Sequence, residues 1–289
     1  MKKLLIVLMF FPFALFAQDA VKDTLWTTSG STTLNFSQVS LTNWAAGGKS
    51  SMSGLFMINY GANYKKDKLS WDNSIDLRYG FIKEKDDDAR KSDDLIELTS
   101  KLGIEAGDRG WNYSGLLSFK SQFASGYNYD KDPREEISKF MAPGYLTAAL
   151  GMDYKTEDLS VMLAPVTGKF TFVTDDVLSE AGSFGVDAGS KARAELGANV
   201  RVEYKKEVLK NVTLDSKLNL FSNYLEKPQN IDVDWKVQIN MKVNDYLSAN
   251  LITQMIYDDD VKIEDPDTGV KGARLQFMES FGVGLTYKF

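Results

Sequence analysis

The chain contains no cysteine and no histidine. Without cysteine there is no disulfide framework and no lipidated N-terminal cysteine. With histidine missing too, the usual nucleophilic triads, the commonest general base and zinc-type ligation are all excluded. The residues therefore call for no metal and no cofactor. Long apolar runs are scarce as well: after Ala17 no stretch approaches the ~20 residues of a membrane-spanning helix. A chain of this kind enters a bilayer only as a closed barrel. A net charge of −6, from 34 basic and 40 acidic residues, leaves no basic patch, so nucleic acid is not expected as a partner.

What is present begins with MKKLLIVLMFFPFALFA, in which Lys2 and Lys3 precede an apolar run and Ala17 offers a small residue for cleavage. Residues 1–17 read as a secretory signal peptide. Residues 18–30 show no clear period and read as a periplasmic lead-in, leaving 31–289 for one large domain of strands.

The C-terminal stretch displays the pattern best. Leu275, Phe277, Phe281, Val283, Leu285, Tyr287 and Phe289 alternate with small or polar residues, interrupted at Glu279. This is a strand of period two. A tilted strand crosses a bilayer in ~9–11 residues, which places Glu279 at the far interface, where a charge is tolerated. Alternating segments recur at 31–41, 52–64, 69–83, 95–106, 111–123, 145–154, 159–166, 194–204, 212–224, 231–243, 247–257 and 275–289. Short connections (65–68, 108–110, 155–158, 205–211, 244–246) alternate with longer ones (42–51, 84–94, 124–144, 167–193, 258–272), the one brief member of the second set being 226–230. Tyr64, Trp71, Trp111, Tyr154, Tyr204 and Phe289 gather at the short-turn ends, and Tyr79, Phe81, Phe123, Tyr224 and Tyr257 at the others. A soluble barrel or sandwich shares the period but not the two aromatic girdles. The expectation is an all-β, twelve-stranded antiparallel up-and-down barrel in the outer membrane, with short periplasmic turns and longer external loops.

Further motifs are Phe140-Met-Ala-Pro-Gly-Tyr-Leu-Thr, Gly151-Met-Asp-Tyr-Lys, Ala164-Pro-Val-Thr-Gly-Lys-Phe-Thr, Gly185-Val-Asp-Ala-Gly and Glu195-Leu-Gly-Ala. With Trp44-Ala-Ala-Gly-Gly, Trp71-Asp-Asn, Lys120-Ser-Gln-Phe and the terminal Tyr287-Lys-Phe, the chain resembles an uncharacterised family of Bacteroidetes outer-membrane proteins defined only as a domain of unknown function. That resemblance implies a barrel and brings no activity or site residue. The terminal aromatic also resembles the signal read by the barrel-assembly machinery, an expected partner beside outer-membrane lipid.

If the apolar parity faces lipid, the other lines the lumen. Asp72, Asp76, Arg78, Lys120, Arg193, Glu195, Arg201, Lys217, Asp232, Asp234, Lys236 and Arg274 then point inward. Their balanced signs suit either internal salt bridging or a polar pore of weak charge selectivity. Asp232 and Asp234 share a face roughly 7 Å apart, a spacing open to acid and base chemistry. Lys236 on the same face argues for ion pairing instead. Asp265-Pro-Asp267-Thr-Gly269 reads as a solvated acidic turn rather than a calcium loop. The apolar 167–193 segment, with Phe170, Phe172 and Phe184, is expected either to constrict the mouth or to be a plain hairpin above the membrane, and 135–141 to offer a helical turn. Three functions remain open: a narrow pore for small polar solutes, a closed barrel whose external loops (124–144, 167–193, 258–272) bind a partner or envelope lipid, and a hydrolase using carboxylates at the mouth. The reading favours a non-enzyme.

Overall fold

The computed structural model describes residues 25–41, 49–107, 109–129, 131–265 and 268–289. The expected signal peptide, most of the lead-in and Trp44-Ala-Ala-Gly-Gly lie outside the described residues.

A single sheet closes on itself. Its strands are β1 (Trp26–Val39), β2 (Ser51–Lys66), β3 (Leu69–Glu84), β4 (Arg90–Glu105), β5 (Trp111–Ser121) and β6 (Gly144–Lys155) in the first half. The second half supplies β7 (Leu159–Phe172), β8 (Ala192–Leu209), β9 (Val212–Asn223), β10 (Ile231–Lys242), β11 (Leu247–Tyr257) and β12 (Gln276–Lys288). Each pairs antiparallel with its neighbours in sequence, and β1 pairs with β12 to complete a closed barrel of twelve strands. The first strand starts at Trp26, inside the stretch read as lead-in, because Trp26–Tyr64 already begins the ladder with β2. The Trp26 ring meets those of Tyr64 and Trp71 at 5.2 and 5.8 Å, so the short-turn end carries packed aromatics.

Inside and outside are inverted relative to a soluble barrel. Arg78 and Asp76 are 3% and 5% exposed, whereas Phe281 and Leu285 on the outer face are 65% and 62% exposed. Charged side chains are therefore housed in the lumen and apolar ones ring the exterior. The lumen is not wholly polar: Leu116, Ala149, Met162 and Ala164 form a small buried apolar cluster on β5, β6 and β7.

One irregularity redirects a whole strand. Along β7 the register with β6 passes from Leu150–Val166 to Met152–Leu163, a bulge around Pro165. Proline has no N–H to contribute to a ladder, and its carbonyl accepts a hydrogen bond of 2.9 Å from the Tyr224 hydroxyl. Met162 and Ala164 face inward before the bulge; Thr167, Lys169 and Thr171 do so after it.

At the long-loop end, 126–128 pairs with 135–138 in a small hairpin, and 262–264 pairs with 271–273 in another. The helical turn expected at 135–141 is thus a strand followed by a bridge between Lys139 and Ala142. Between β7 and β8 lie the short helix α1 (Asp176–Glu180) and a 3₁₀ turn at Ser183–Gly185. Ala142, Val173, Leu178 and Val186 are buried together with Phe184 packed on them, giving these loops a core of their own.

Candidate functional site: a lumen crossed by ion pairs

Side chains on strands that are not neighbours in the wall can meet only through the interior, and several do. In the middle of the barrel Lys236 on β10 pairs with Asp76 on β3, both nearly fully buried. Beside them Lys120 on β5 reaches Asp234 on β10 at 2.6 Å, and Gln254 Nε2 donates to the same carboxylate at 2.8 Å. Arg78 lies 3.2 Å from Asp93, and Arg201 donates to Glu203 at 2.8 Å. The space left among Arg78, Glu97, Lys120, Arg201, Lys217 and Asp234 is about 30 Å³. That is room for on the order of two water molecules.

Toward the short-turn end, Lys101 on β4 binds Asp153 on β6 at 3.0 Å and the Ser160 hydroxyl at 2.7 Å, while Lys155 pairs with Asp72. Toward the other end, Lys169 contacts Asp232 at 2.6 Å, Asp258 at 3.2 Å and Glu195 at 3.7 Å. Arg193 spans Asp260 at 2.7 Å, Glu226 at 3.3 Å and Glu195 at 3.4 Å. Buried charges need partners of this kind, since an isolated one in a dry interior is very costly. Asp232 and Asp234, whose spacing is open to acid and base chemistry, are each held by a different ammonium, Lys169 and Lys120.

Eleven of the expected lumen residues thus face the interior; Arg274 does not. It precedes β12 and pairs at 2.9 Å with Asp265 of the hairpin at the long-loop end, because the strand begins only at Gln276. The acidic turn there is closed by its own backbone: Thr268 N donates to Asp265 Oδ1 and Gly269 N to the Asp265 carbonyl. Pro266 and Asp267 lie outside the described residues.

The expected aromatic constriction is also corrected. Phe170 and Phe172 belong to β7 beyond the bulge and take the outward parity, and Phe184 packs into the loop core. What narrows the lumen is charge pairing. Lys169, which takes the inward position instead, escaped the sequence reading because 167–193 reads as an external segment, whereas the strand runs on past the bulge around Pro165 to Phe172.

The loop core is tied to the mouth. Arg193 Nη1 donates to the Gly185 carbonyl at 3.0 Å while its other nitrogen holds Asp260. Asp175 caps α1 by accepting from Leu178 N at 2.9 Å and also pairs with Lys139 of the preceding loop. The hydrogen bond from Lys139 is the main reason the Asp175 carboxyl is held below its ordinary range, the Leu178 amide adding to it. Lys139 is correspondingly raised.

Residues 36–127 match the family described as protein of unknown function (DUF3078). That match takes in Trp71-Asp-Asn and Lys120-Ser-Gln-Phe and ends before the motifs that start at Phe140. No curated protein matches the chain. Among solved structures it is similar to an outer membrane channel from Pseudomonas putida F1, at 14% identity over 90% of this chain and 94% of that one, with a TM-score of 0.39. It is also similar to the translocator domain of the autotransporter NalP from Neisseria meningitidis, at 11% identity over 91% and 88%, TM-score 0.36. Outer membrane phospholipase A from Escherichia coli gives 11% identity over 89% of each chain and a TM-score of 0.34. The likeness is that of one barrel to another.

Proposed function

We propose that this chain is an integral outer-membrane barrel that is shut across its middle and works through its external mouth as a binding barrel. The inverted distribution of side chains supports the membrane reading, since an exterior of Leu, Phe and Val with buried Lys, Asp and Arg suits lipid outside and polar groups within. The observation that carries the closed reading is the pair of bridges Asp76–Lys236 and Lys120–Asp234, which cross the lumen to β10 from β3 and β5, with a pocket of about 30 Å³ beside them. A passive solute pore needs a continuous water-filled path. The external loops, by contrast, form an ordered platform anchored by Arg193 and Lys139.

A second reading, a narrow pore for small polar solutes, is favoured by the partial accessibility of Lys120 and Asp234, whose bridge is the more exposed of the two. Single-channel recording in planar bilayers separates these readings. Inserted native protein is expected to be silent, and the Asp76→Asn, Lys236→Met, Lys120→Met, Asp234→Asn quadruple variant to pass current. Steady conductance from the native protein would establish the pore instead.

A further inference from the structure

One space inside the barrel is faced by more cations than anions. It is the cavity of about 30 Å³ in the middle of the lumen, which Arg78, Lys120, Arg201, Lys217 and Lys236 line from five different strands. Only two carboxylates, Glu97 and Asp234, stand in the same lining. The carboxylates that answer Arg78, Arg201 and Lys236 are those of Asp93, Glu203 and Asp76, none of which lines the cavity. Asp234 is taken up by Lys120 and Gln254. Of the lining carboxylates, Glu97 alone is left to balance the rest, and the wall is positive.

Two of these cations are short of partners. Arg78 is 3% exposed and lies 3.2 Å from Asp93, yet its Nε and Nη1 have no hydrogen-bond acceptor. The acceptors left over nearby, Asp76 Oδ1 and Asp93 Oδ2, belong to residues outside the lining. Among the described residues Lys217 makes no hydrogen bond or ion pair, and it and Glu97 attract each other only at longer range. Asn219, also in the lining, accepts through Oδ1 from Asn199 at 3.0 Å, which leaves its amide nitrogen to donate. A buried guanidinium donor without an acceptor is costly. The cavity therefore calls for an acceptor, and a charged one satisfies both the donors and the surplus of cations.

We propose that this cavity is a binding site for a small inorganic anion of halide size, held by Arg78, Lys217 and Asn219 with Lys120 and Arg201 around it. A space of about 30 Å³ takes a monatomic ion and excludes a solute of several heavy atoms. Water reaches it, since the lining Lys120 and Asp234 side chains are 27% and 33% exposed. Glu97 opposes the ion by like-charge repulsion and so limits its affinity. Bound there, the ion links β3, β8 and β9 beside the Asp76–Lys236 and Lys120–Asp234 bridges. The inference goes beyond the closed-barrel reading and does not depend on it, because the site lies in the lumen whether or not solutes pass.

The probe is chloride itself, followed by its quadrupolar line broadening in NMR with the refolded full chain in a non-ionic detergent, and displaced with bromide. Native protein is expected to broaden the chloride line, and bromide to reverse the effect. Lys217→Met should weaken binding about tenfold and Glu97→Gln should strengthen it about tenfold, one losing an attraction and the other a repulsion. Lys227→Met, a change at a loop lysine outside this cavity, should alter nothing. Absence of bromide-reversible broadening means that water alone fills the space and overturns the proposal. Broadening that neither Lys217→Met nor Glu97→Gln changes belongs to surface cations and overturns it too. Should Lys217→Met fail to resist trypsin after refolding, Glu97→Gln still decides, because a gain in affinity does not come from a damaged fold. Unchanged or weaker binding by that variant overturns the site.

Discussion

Asp76 and Lys236 bond to each other across the lumen although β2, β1, β12 and β11 separate their strands along the shorter way round the wall. Removing one partner leaves the other charged in a dry interior. Lys236→Met is expected to cost about 3–5 kcal/mol, and the double variant with Asp76→Asn markedly less, the uncompensated charge having gone. Urea unfolding of the detergent-solubilised barrel, followed by tryptophan fluorescence, compares the two. Equal losses would mean that the pair is not what holds that level together.

Gly185 sits at φ +80°, and a Cβ there would stand 2.9 Å from Arg193 Nη1 and 3.0 Å from Asp260 Cβ. Gly185→Ala is expected to destabilise the loop core by about 1 kcal/mol or more, through backbone strain and displacement of Arg193. Hydrogen exchange of 173–191 should quicken while β8 and β9 keep their protection.

The Lys139–Asp175 pair gives the loops a pH signature. Asp175 is lowered from 3.8 in the folded state, so its contribution is complete above that value and is lost as pH falls through the lower folded one. Lys139 is raised from 10.5, so its contribution is complete below that value and disappears as pH rises through the higher folded one. Resistance of this segment to proteolysis is expected to be flat from about pH 5 to about pH 9 and to fall beyond either end. Asp175→Asn should remove the acid limb, and an unchanged acid limb would assign it elsewhere.

At the seam, a Cβ on Gly284 would lie 2.1 Å from the Leu34 carbonyl, which cannot move without opening the β1–β12 ladder. Gly284→Val is expected to abolish the closed barrel, exceeding the about 1–3 kcal/mol typical of overpacking. At Gly61 the nearest atom is 3.7 Å away, so Gly61→Ala should fold normally. The fraction of each variant that resists trypsin after refolding measures the contrast.

Strand number, strand direction and the inward placement of Asp76, Arg78 and Lys236 were legible because β3 and β10 alternate without a break. The reading ended this strand at Val166, where the bulge around Pro165 breaks the alternation, and so took Lys169 and Phe170 for loop residues although the strand runs to Phe172. It failed again at Arg274, where alternation runs on past the end of the strand. Who pairs with whom across the lumen was beyond reach: alternation fixes a residue's face, while the partner depends on the barrel's cross-section. The stop of the β1–β12 ladder at Asn35–Gly284 was hidden for the same reason, since the pattern through 276–283 is as regular as that of any paired strand.

The three-way grip of Lys169 on Asp232, Asp258 and Glu195 bears on how such a molecule is made. Its partners arrive along the chain only with β8, β10 and the loop after β11, and those of Asp76 and Lys120 only with β10. A half-built sheet laid in a membrane would turn these lone charges toward lipid, and an early Lys169 would have nothing to neutralise it. Insertion strand by strand would leave each of these charges unpaired in hydrocarbon until its partner strand arrived, a large cost. A wall curled before it meets a bilayer would have these charges satisfied first.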